Sequence, residues 1–207
     1  MSNYLIRLFV NSYCYNTNRR CIFVNMIIIF LLLAAILIGI ILIFSSKKFS
    51  PVPYFPSNSK DMSLIINSLD LKNNQTVIDL GAGDGIVIFE AAKSAFEKKL
   101  NTQFVAVDIN PILILILTLR RFFHPNKNNI KILQGDFFKL DFSFLTTNYN
   151  LKTTIYLYIS PWFLDKVSEQ VLQQIPNAKI VSYMYPIKSL RKMKKTIHGK
   201  NSIFIYS

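Results

Sequence analysis

Three observations predict an α/β fold with a mostly parallel sheet and helices on both faces. Apolar runs of strand type alternate with helical patterns from about residue 60 to the C-terminus, which is the pattern of a parallel sheet crossed by helices. One run, Val77-Ile78-Asp79-Leu80, leads straight into Gly81-Ala82-Gly83-Asp84-Gly85 and then a helix over 86–96, the strand–turn–helix start of a βαβ unit. Finally, the chain has only 11 acids, and four of them (Asp79, Asp84, Asp108, Asp136) fall at three successive strand ends. In open α/β sheets that edge is where ligands bind. The arrangement is Rossmann-like, preceded by one transmembrane helix and closed by a C-terminal antiparallel hairpin.

Four segments divide the chain. Residues 1–25 are polar and aromatic with no clear period, which fits a disordered segment or a start at Met26. Residues 26–44, MIIIFLLLAAILIGIILIF, hold no charge. At about 1.5 Å per residue they span about 28 Å, close to the hydrocarbon thickness of a bilayer. Fifteen of the nineteen are Ile, Leu or Phe, each favouring insertion by roughly 0.3–0.6 kcal/mol. A buried core helix of this length shows a polar face, and a signal peptide has a shorter apolar region ending at small residues; Ser45-Ser46-Lys47-Lys48 follows here instead. An uncleaved single-pass helix is expected. Arg7, Arg19 and Arg20 precede it and Lys47, Lys48 and Lys60 follow, so the positive-inside rule is nearly tied. Residues 45–60 carry Pro51, Pro53 and Pro56 and read as a stiff linker. Residues 61–207 form the folded domain.

Within that domain a helix is expected over 60–69, where Met62, Ile65, Ile66 and Leu69 keep helical spacing. Strands are expected at 76–79, 104–107, 130–134, 153–159 and 179–184. A helix over 111–123 begins at Pro111, a residue favoured in the first helical turn, and another opens at Ser160-Pro161. The tail offers strands at 194–198 and 202–206, joined by Gly199-Lys200-Asn201 as a hairpin.

The glycine turn narrows the ligand. A phosphate loop closes on Gly-Lys-Ser/Thr, whereas Gly85 is followed by Ile86-Val87. A dinucleotide turn reads G-x-G-x-x-G/A, its last small residue allowing close helix packing. The spacing here is G-x-G-x-G, with Ile86 at that place. S-adenosylmethionine (SAM) remains. A carboxylate at Asp79 or Asp84 can attract its ammonium, and the backbone of Gly81, Ala82, Gly83, Asp84 and Gly85 can approach it closely. Asp108, in Asp108-Ile109-Asn110-Pro111 at the second strand end, is placed to accept ribose hydroxyls. Asp136 is placed for the adenine amino group, and Phe137 for stacking on the ring; an ordinary turn with a buried aromatic would look the same.

These motifs resemble the class I, seven-strand SAM-dependent methyltransferases: Asp79-x-Gly81-x-Gly83-x-Gly85 matches their first motif and Asp108 their second. A narrower resemblance covers nearly all of residues 51–206. The single apolar helix is followed by Pro53-Tyr54-Phe55-Pro56-Ser57, then Asp108-Ile109-Asn110-Pro111, Gly135-Asp136-Phe137-Phe138, Ala178-Lys179-Ile180-Val181-Ser182 and Tyr185-Pro186. This series is similar to the membrane-anchored protein-lysine methyltransferases related to those of the ATP synthase c subunit and the adenine nucleotide translocase, and to their bacterial relatives. The resemblance implies a lysine acceptor on a protein, possible membrane proteins included, and a segment before the first strand that covers the cofactor through Tyr54 and Pro56. The chain departs from that family at Ile86, where a basic residue is common.

SAM is held in the cytosol, so the domain is expected to face the cytoplasm, anchored in the bilayer through residues 26–44. Acceptor-side candidates lie after the fourth strand: Tyr158, Ser160, Pro161 and Trp162. Base-amino methyltransferases usually carry Asp/Asn-Pro-Pro-aromatic there, and this loop lacks the second proline. The net charge of +13 keeps a tethered RNA methyltransferase open as an alternative, beside a non-catalytic membrane scaffold with a SAM-binding fold. Cys14 and Cys21 both precede the apolar helix, and His124 and His198 are isolated. Neither a disulfide framework nor a metal site is expected.

Overall fold

The computed structural model describes residues 25–44, 46, 55–142, 152–190 and 195–207. Contacts divide the chain into two compact units, 1–45 and 46–207. In the first, helix α1 (Asn25–Phe44) is long and apolar enough to cross a membrane. The sequence places its start at Met26, one residue later. Cys14, Cys21, Tyr54 and the linker prolines Pro51 and Pro53 lie outside the described residues.

The second unit contains a seven-stranded sheet in the order β3-β2-β1-β4-β5-β7-β6. Its strands are β1 (Gln75–Leu80), β2 (Thr102–Asp108), β3 (Ile130–Gln134), β4 (Lys152–Leu157), β5 (Lys179–Tyr183), β6 (Lys195–His198) and β7 (Ser202–Tyr206). The first five are parallel, and β7 turns antiparallel to β5 and β6. All six residues of β1 are buried, as a strand covered on both faces requires. Val77, Phe104 and Tyr156 belong to one core cluster, while Ile78, Val105 and Ile155 belong to the other. Alternate side chains of each strand thus supply opposite layers.

Four helices cover the sheet: α2 (Met62–Leu69), α3 (Ile86–Glu97), α4 (Pro111–Phe123) and α5 (Pro161–Gln174). Asn110 caps α4, its Oδ1 accepting from the Ile112 N–H at 2.9 Å, and Pro111 fills the first position. Both features lower the cost of starting a helix. Helix α3 starts directly after Gly85, whose φ is +78°.

Several boundaries shift by a residue or two from the sequence expectation, and three of the shifts have a visible cause. The helix at 60–69 begins as a 3-10 turn over Ser59–Asp61, with Asn58 Oδ1 accepting from the Lys60 N–H. Strand β4 stops at Leu157 and not at Ile159, because its pairing ends there on both sides: Leu157 is the last residue with a partner, Leu80 on β1 and Ser182 on β5. Strand β5 stops at Tyr183, and Met184 takes φ +72°, which breaks the extended path.

One carboxylate ties the two ends of this unit together. Asp61 is 1% exposed. Its Oδ2 accepts from the Tyr183 hydroxyl at 2.7 Å and from the Asn201 N–H at 2.9 Å, and its Oδ1 from the Lys200 N–H at 2.6 Å. Burial pushes this carboxyl up, but the hydrogen bonds outweigh it and hold the group below its usual range. A side chain at Gly199 would run into the Asp61 carboxylate and Leu64, so the hairpin tip needs glycine in order to close on Asp61.

Candidate functional site

Strands β2 and β3 lie to one side of β1, and β4 and β5 to the other. The strand order therefore reverses between β1 and β4, and a crevice opens at the C-terminal ends of these two strands. Asp79 of β1 is the register partner of Tyr156 on β4. Asp79, Gly81, Ala82, Gly83, Asp84, Pro56 and Tyr158 line one cavity, together with Phe55, Ser57, Ile86, Val87 and Tyr156. None of these last five is a site candidate from sequence, although Phe55, Ser57 and Ile86 stand in the motifs quoted above.

The glycine turn has the backbone that only glycine adopts freely. Gly81, Gly83 and Gly85 have φ of +80°, +59° and +78°. They differ in what surrounds them. A side chain at Gly85 would collide with Leu117 and with the Phe89 ring, so this glycine lets α3 and α4 approach. Gly81 N–H and Ala82 N–H both donate to the Val107 carbonyl at 2.9 Å, which pins the turn to β2.

Asp79 is 3% exposed. Burial pushes its carboxyl up to about 8, helped by the charges of Asp108 and Asp84. A buried acid of this kind stays protonated until a cation arrives. Asp84 is already paired: its Oδ2 lies 2.9 Å from Arg120 of α4, and its Oδ1 accepts from the Ile86 N–H at 3.3 Å. Of the two acids considered for an ammonium, Asp79 is the one without a cationic partner among the described residues.

Asp108 sits beneath the turn. Its Oδ2 accepts from the Gly83 N–H at 2.9 Å and its Oδ1 from the Asn110 N–H at 2.8 Å. Burial pushes its carboxyl up, against the opposing effect of these backbone donors. Each oxygen keeps a further lone pair for a hydroxyl. Asn110 is buried, and its Nδ2 has no hydrogen-bond partner among the described residues. An orphan donor at this place costs free energy that a bound acceptor would recover. The half-buried Ile109 lies between them.

Asp136 begins a turn, its Oδ1 accepting from the Phe138 N–H at 3.0 Å. Phe137 is 5% exposed and belongs to the core. Its ring centroid lies 4.6 Å from that of Phe138, and its edge lies under Gly81. The ring is thus core and not a free stacking platform, because the turn directs Phe137 inward. Ser160 and Pro161 open α5, and Trp162 is 85% exposed. Neither Ser160, Pro161 nor Trp162 lines the cavity; Tyr158 does. The Tyr158 ring packs edge-on against Tyr183 at 4.9 Å, and its hydroxyl donates to the Met184 Sδ at 3.6 Å.

The residues Phe55–Ser57 cross the crevice as a strap. Ser57 is fixed by a 2.8 Å hydrogen bond to the Tyr156 hydroxyl, both groups being buried. The enclosed space beneath is only about 20 Å³, the room of roughly one water. The donor and acceptor set therefore fits a sulfonium nucleoside, while the volume requires the strap to shift for entry. Among the described residues no cluster of His, Cys, Asp or Glu has the makings of a metal site.

Fold and site together define a SAM-dependent methyltransferase of the Rossmann-like, seven-strand class. The profile of ribosomal RNA adenine dimethylase matches residues 46–201. The chain belongs to that family, and its cofactor is SAM. It is 31% identical over 81 residues to a probable ribosomal RNA small subunit methyltransferase A of Methanosphaera stadtmanae. That match spans 39% of this chain and 27% of the relative, about a quarter of its length. It is 27% identical over 146 residues to a protein-lysine N-methyltransferase of Saccharolobus islandicus, spanning 66% of this chain and 79% of the relative. Among solved structures it is similar to an RNA methyltransferase from Salinibacter ruber in complex with S-adenosyl-L-homocysteine. The TM-score is 0.59 at 19% identity, covering 73% of this chain and 92% of that one.

Proposed function

We propose that the chain is a membrane-anchored, SAM-dependent methyltransferase that methylates a lysine side chain of a protein, with its catalytic domain on the cytoplasmic side. The observation that carries this reading is the make-up of the loop after β4. Tyr158, Ile159, Ser160, Pro161 and Trp162 offer no side-chain carbonyl or carboxylate. The exocyclic amine of a nucleobase is weakly basic and needs such an acceptor to align its lone pair. An alkyl amine is a strong nucleophile once neutral, and aromatic walls suit its aliphatic stem and cationic head. Two further observations agree. The lysine-modifying relative is matched over most of its length and the ribosomal one over about a quarter, and α1 is long and apolar enough to cross a membrane.

Within this reading Asp79 takes the cofactor's ammonium, and the backbone of Gly81, Ala82, Gly83, Asp84 and Gly85 lies against its methionine part. Asp108 and Asn110 hold the ribose, and Ile109, Asp136 and the Phe137 edge border the adenine. Pro56, and with it Tyr54, covers the site. Tyr158 walls the acceptor side, and Ser160, Pro161 and Trp162 continue the same loop outside the cavity. SAM supplies a methyl already activated on sulfonium. The protein's work is alignment and exclusion of water. Tyr158, its hydroxyl pushed up by burial, stays neutral and serves as a wall rather than a base.

A second reading, methylation of RNA, is favoured by the family match and by the net charge of +13. One experiment separates the two. The full chain in membranes is incubated with methyl-labelled SAM, with and without RNase. Label that survives RNase and is recovered as methyl-lysine supports the protein acceptor. Label confined to RNA sinks it.

A further inference from the structure

Helix α4 is apolar on two opposite sides. Leu113 and Leu117 are buried. Leu115, Ile116, Leu119, Phe122 and Phe123 fall at i, i+1, i+4, i+7 and i+8, a single stripe on the other side. All five are exposed, Phe122 at 67% and Phe123 at 81%. A helix that covers a sheet ordinarily turns a polar face outward, and a contiguous apolar stripe on a surface marks a contact. The rings of Phe122 and Phe123 stand edge-to-face at 5.0 Å, so the aromatic surface is concentrated at the C-terminal end of the stripe.

Cations frame that end. Between Asp108 and Asp136 the chain has Arg120, Arg121, Lys127 and Lys131 and no acid. Arg120 is drawn away to Asp84. Arg121 and Lys127 stay beside the rings: Arg121 Nε donates to the Lys127 carbonyl at 3.1 Å, and Lys127 Nζ lies 5.6 Å from the centre of the Phe122 ring. The nearest acid of α3 is Glu90, which lines a shallow groove with Phe123 and His124.

We propose that this stripe is a lipid-docking face. Phe122, Phe123 and Leu119 enter the boundary between headgroups and acyl chains of an anionic bilayer, and Arg121 and Lys127 meet the lipid phosphates. Apolar side chains flanked by cations are the composition of helices that lie in a membrane interface. A second copy fits less well, since a two-fold pairing of the stripe would bring these cations against themselves. A nucleic acid would meet the cations but leave the five apolar side chains unburied. The chain's own α1, apolar over its whole length, calls for the same partner chemistry.

The test uses the full-length chain reconstituted into vesicles. Trp162 is its single tryptophan, so W162F combined with F123W gives an indole that reports from the stripe alone. The expected result is loss of its emission to bromine-labelled acyl chains in vesicles containing phosphatidylglycerol, with much smaller loss in pure phosphatidylcholine. Adding R121E and K127E lowers the loss to the phosphatidylcholine level. L119W in the W162F background gives the same pattern should F123W fold poorly. Emission untouched by bromine in both lipids overturns the proposal, as does a loss indifferent to lipid charge and to R121E/K127E. A blue-shifted, unquenched indole that crosslinks between copies also overturns it and gives the face to self-association.

Discussion

The hydroxyls of Ser57 and Tyr156 lie 2.8 Å apart, joining residues 99 positions distant in the chain. Tyr156 sits on β4 directly beside Asp79 of β1, so the bond fastens the strap over the acid at the floor of the crevice. Burial, with the nearby Asp79 charge adding to it, pushes the Tyr156 hydroxyl well above its ordinary value. It therefore acts as a neutral hydrogen-bonding group throughout the working range. Tyr156→Phe removes this fastening and leaves Ser57 unpaired, at a cost of about 1 kcal/mol. The expected outcome is a SAM dissociation rate raised about fivefold, the equivalent of that energy. Stopped-flow displacement of the bound cofactor measures it; an unchanged rate removes the strap from cofactor retention.

The raised carboxyl of Asp79 makes cofactor binding depend on pH. With its ionisation near 8, the acid must shed a proton to receive the ammonium, so affinity should fall roughly tenfold per unit as pH drops below 8. Calorimetry at pH 7 in two buffers of different ionisation enthalpy should detect one proton released per SAM bound. Equal heats in the two buffers would place the ammonium elsewhere.

The same group opposes folding. A carboxyl whose folded value lies above its unfolded one binds its proton more tightly in the native state, so its contribution weakens as pH rises from about 4 to 8. Asp79→Asn should stabilise the protein at pH 8 by about 1–3 kcal/mol, the scale of relieving a buried charge, while abolishing SAM binding. Thermal melts at pH 5 and pH 8 read the sign, and the gain should shrink at the lower pH.

Asp61 has the opposite sign. Its hydrogen bonds hold its carboxyl below the ordinary value, so its stabilisation is present above about pH 4 and is lost as pH falls through the lower, folded-state value. Asp61→Ala leaves the Tyr183 hydroxyl and two backbone N–H groups without their acceptor. A loss of about 3 kcal/mol or more in denaturant melts is expected, with the hairpin over β6 and β7 the first to exchange its amide hydrogens.

The three glycines of the turn should separate by readout. Gly83→Val should abolish SAM binding through the positive φ it cannot adopt and the bulk it adds at the crevice. Gly85→Ala meets Leu117 and Phe89 instead, so it should lower the melting temperature through overpacking of about 1–3 kcal/mol. A Gly85→Ala protein of normal stability would contradict the packing assigned here.

Much of this arrangement was legible in the residues. Glycine spacing and strand-end acids put the turn and three carboxylates at the C-terminal strand ends because both signals are local: each follows from a few neighbouring residues and a strand that must end there. What escaped notice depended on long-range pairing. Tyr156 looks like any apolar strand residue until β4 is placed beside β1. The run through Ile159 reads as strand, yet the partners of β4 end at Leu80 and Ser182. Phe137 and Phe138 are equivalent in sequence, and only the turn set by Asp136 decides which ring goes into the core. Gly85 stands among the ligand glycines in sequence, and nothing local shows the packing demand that Leu117, a residue of the next helix, also places on it.

The clasp at Asp61 has a bearing on how the protein is made. Its three donors, on Tyr183, Lys200 and Asn201, lie 122, 139 and 140 positions further along the chain, so they leave the ribosome long after the carboxylate does, and β7 leaves later still. A nascent chain would thus carry an open β5 border and a buried-type carboxylate with nothing to hold until β7 has emerged. A chain cut before Lys200 would stay permanently in that immature condition.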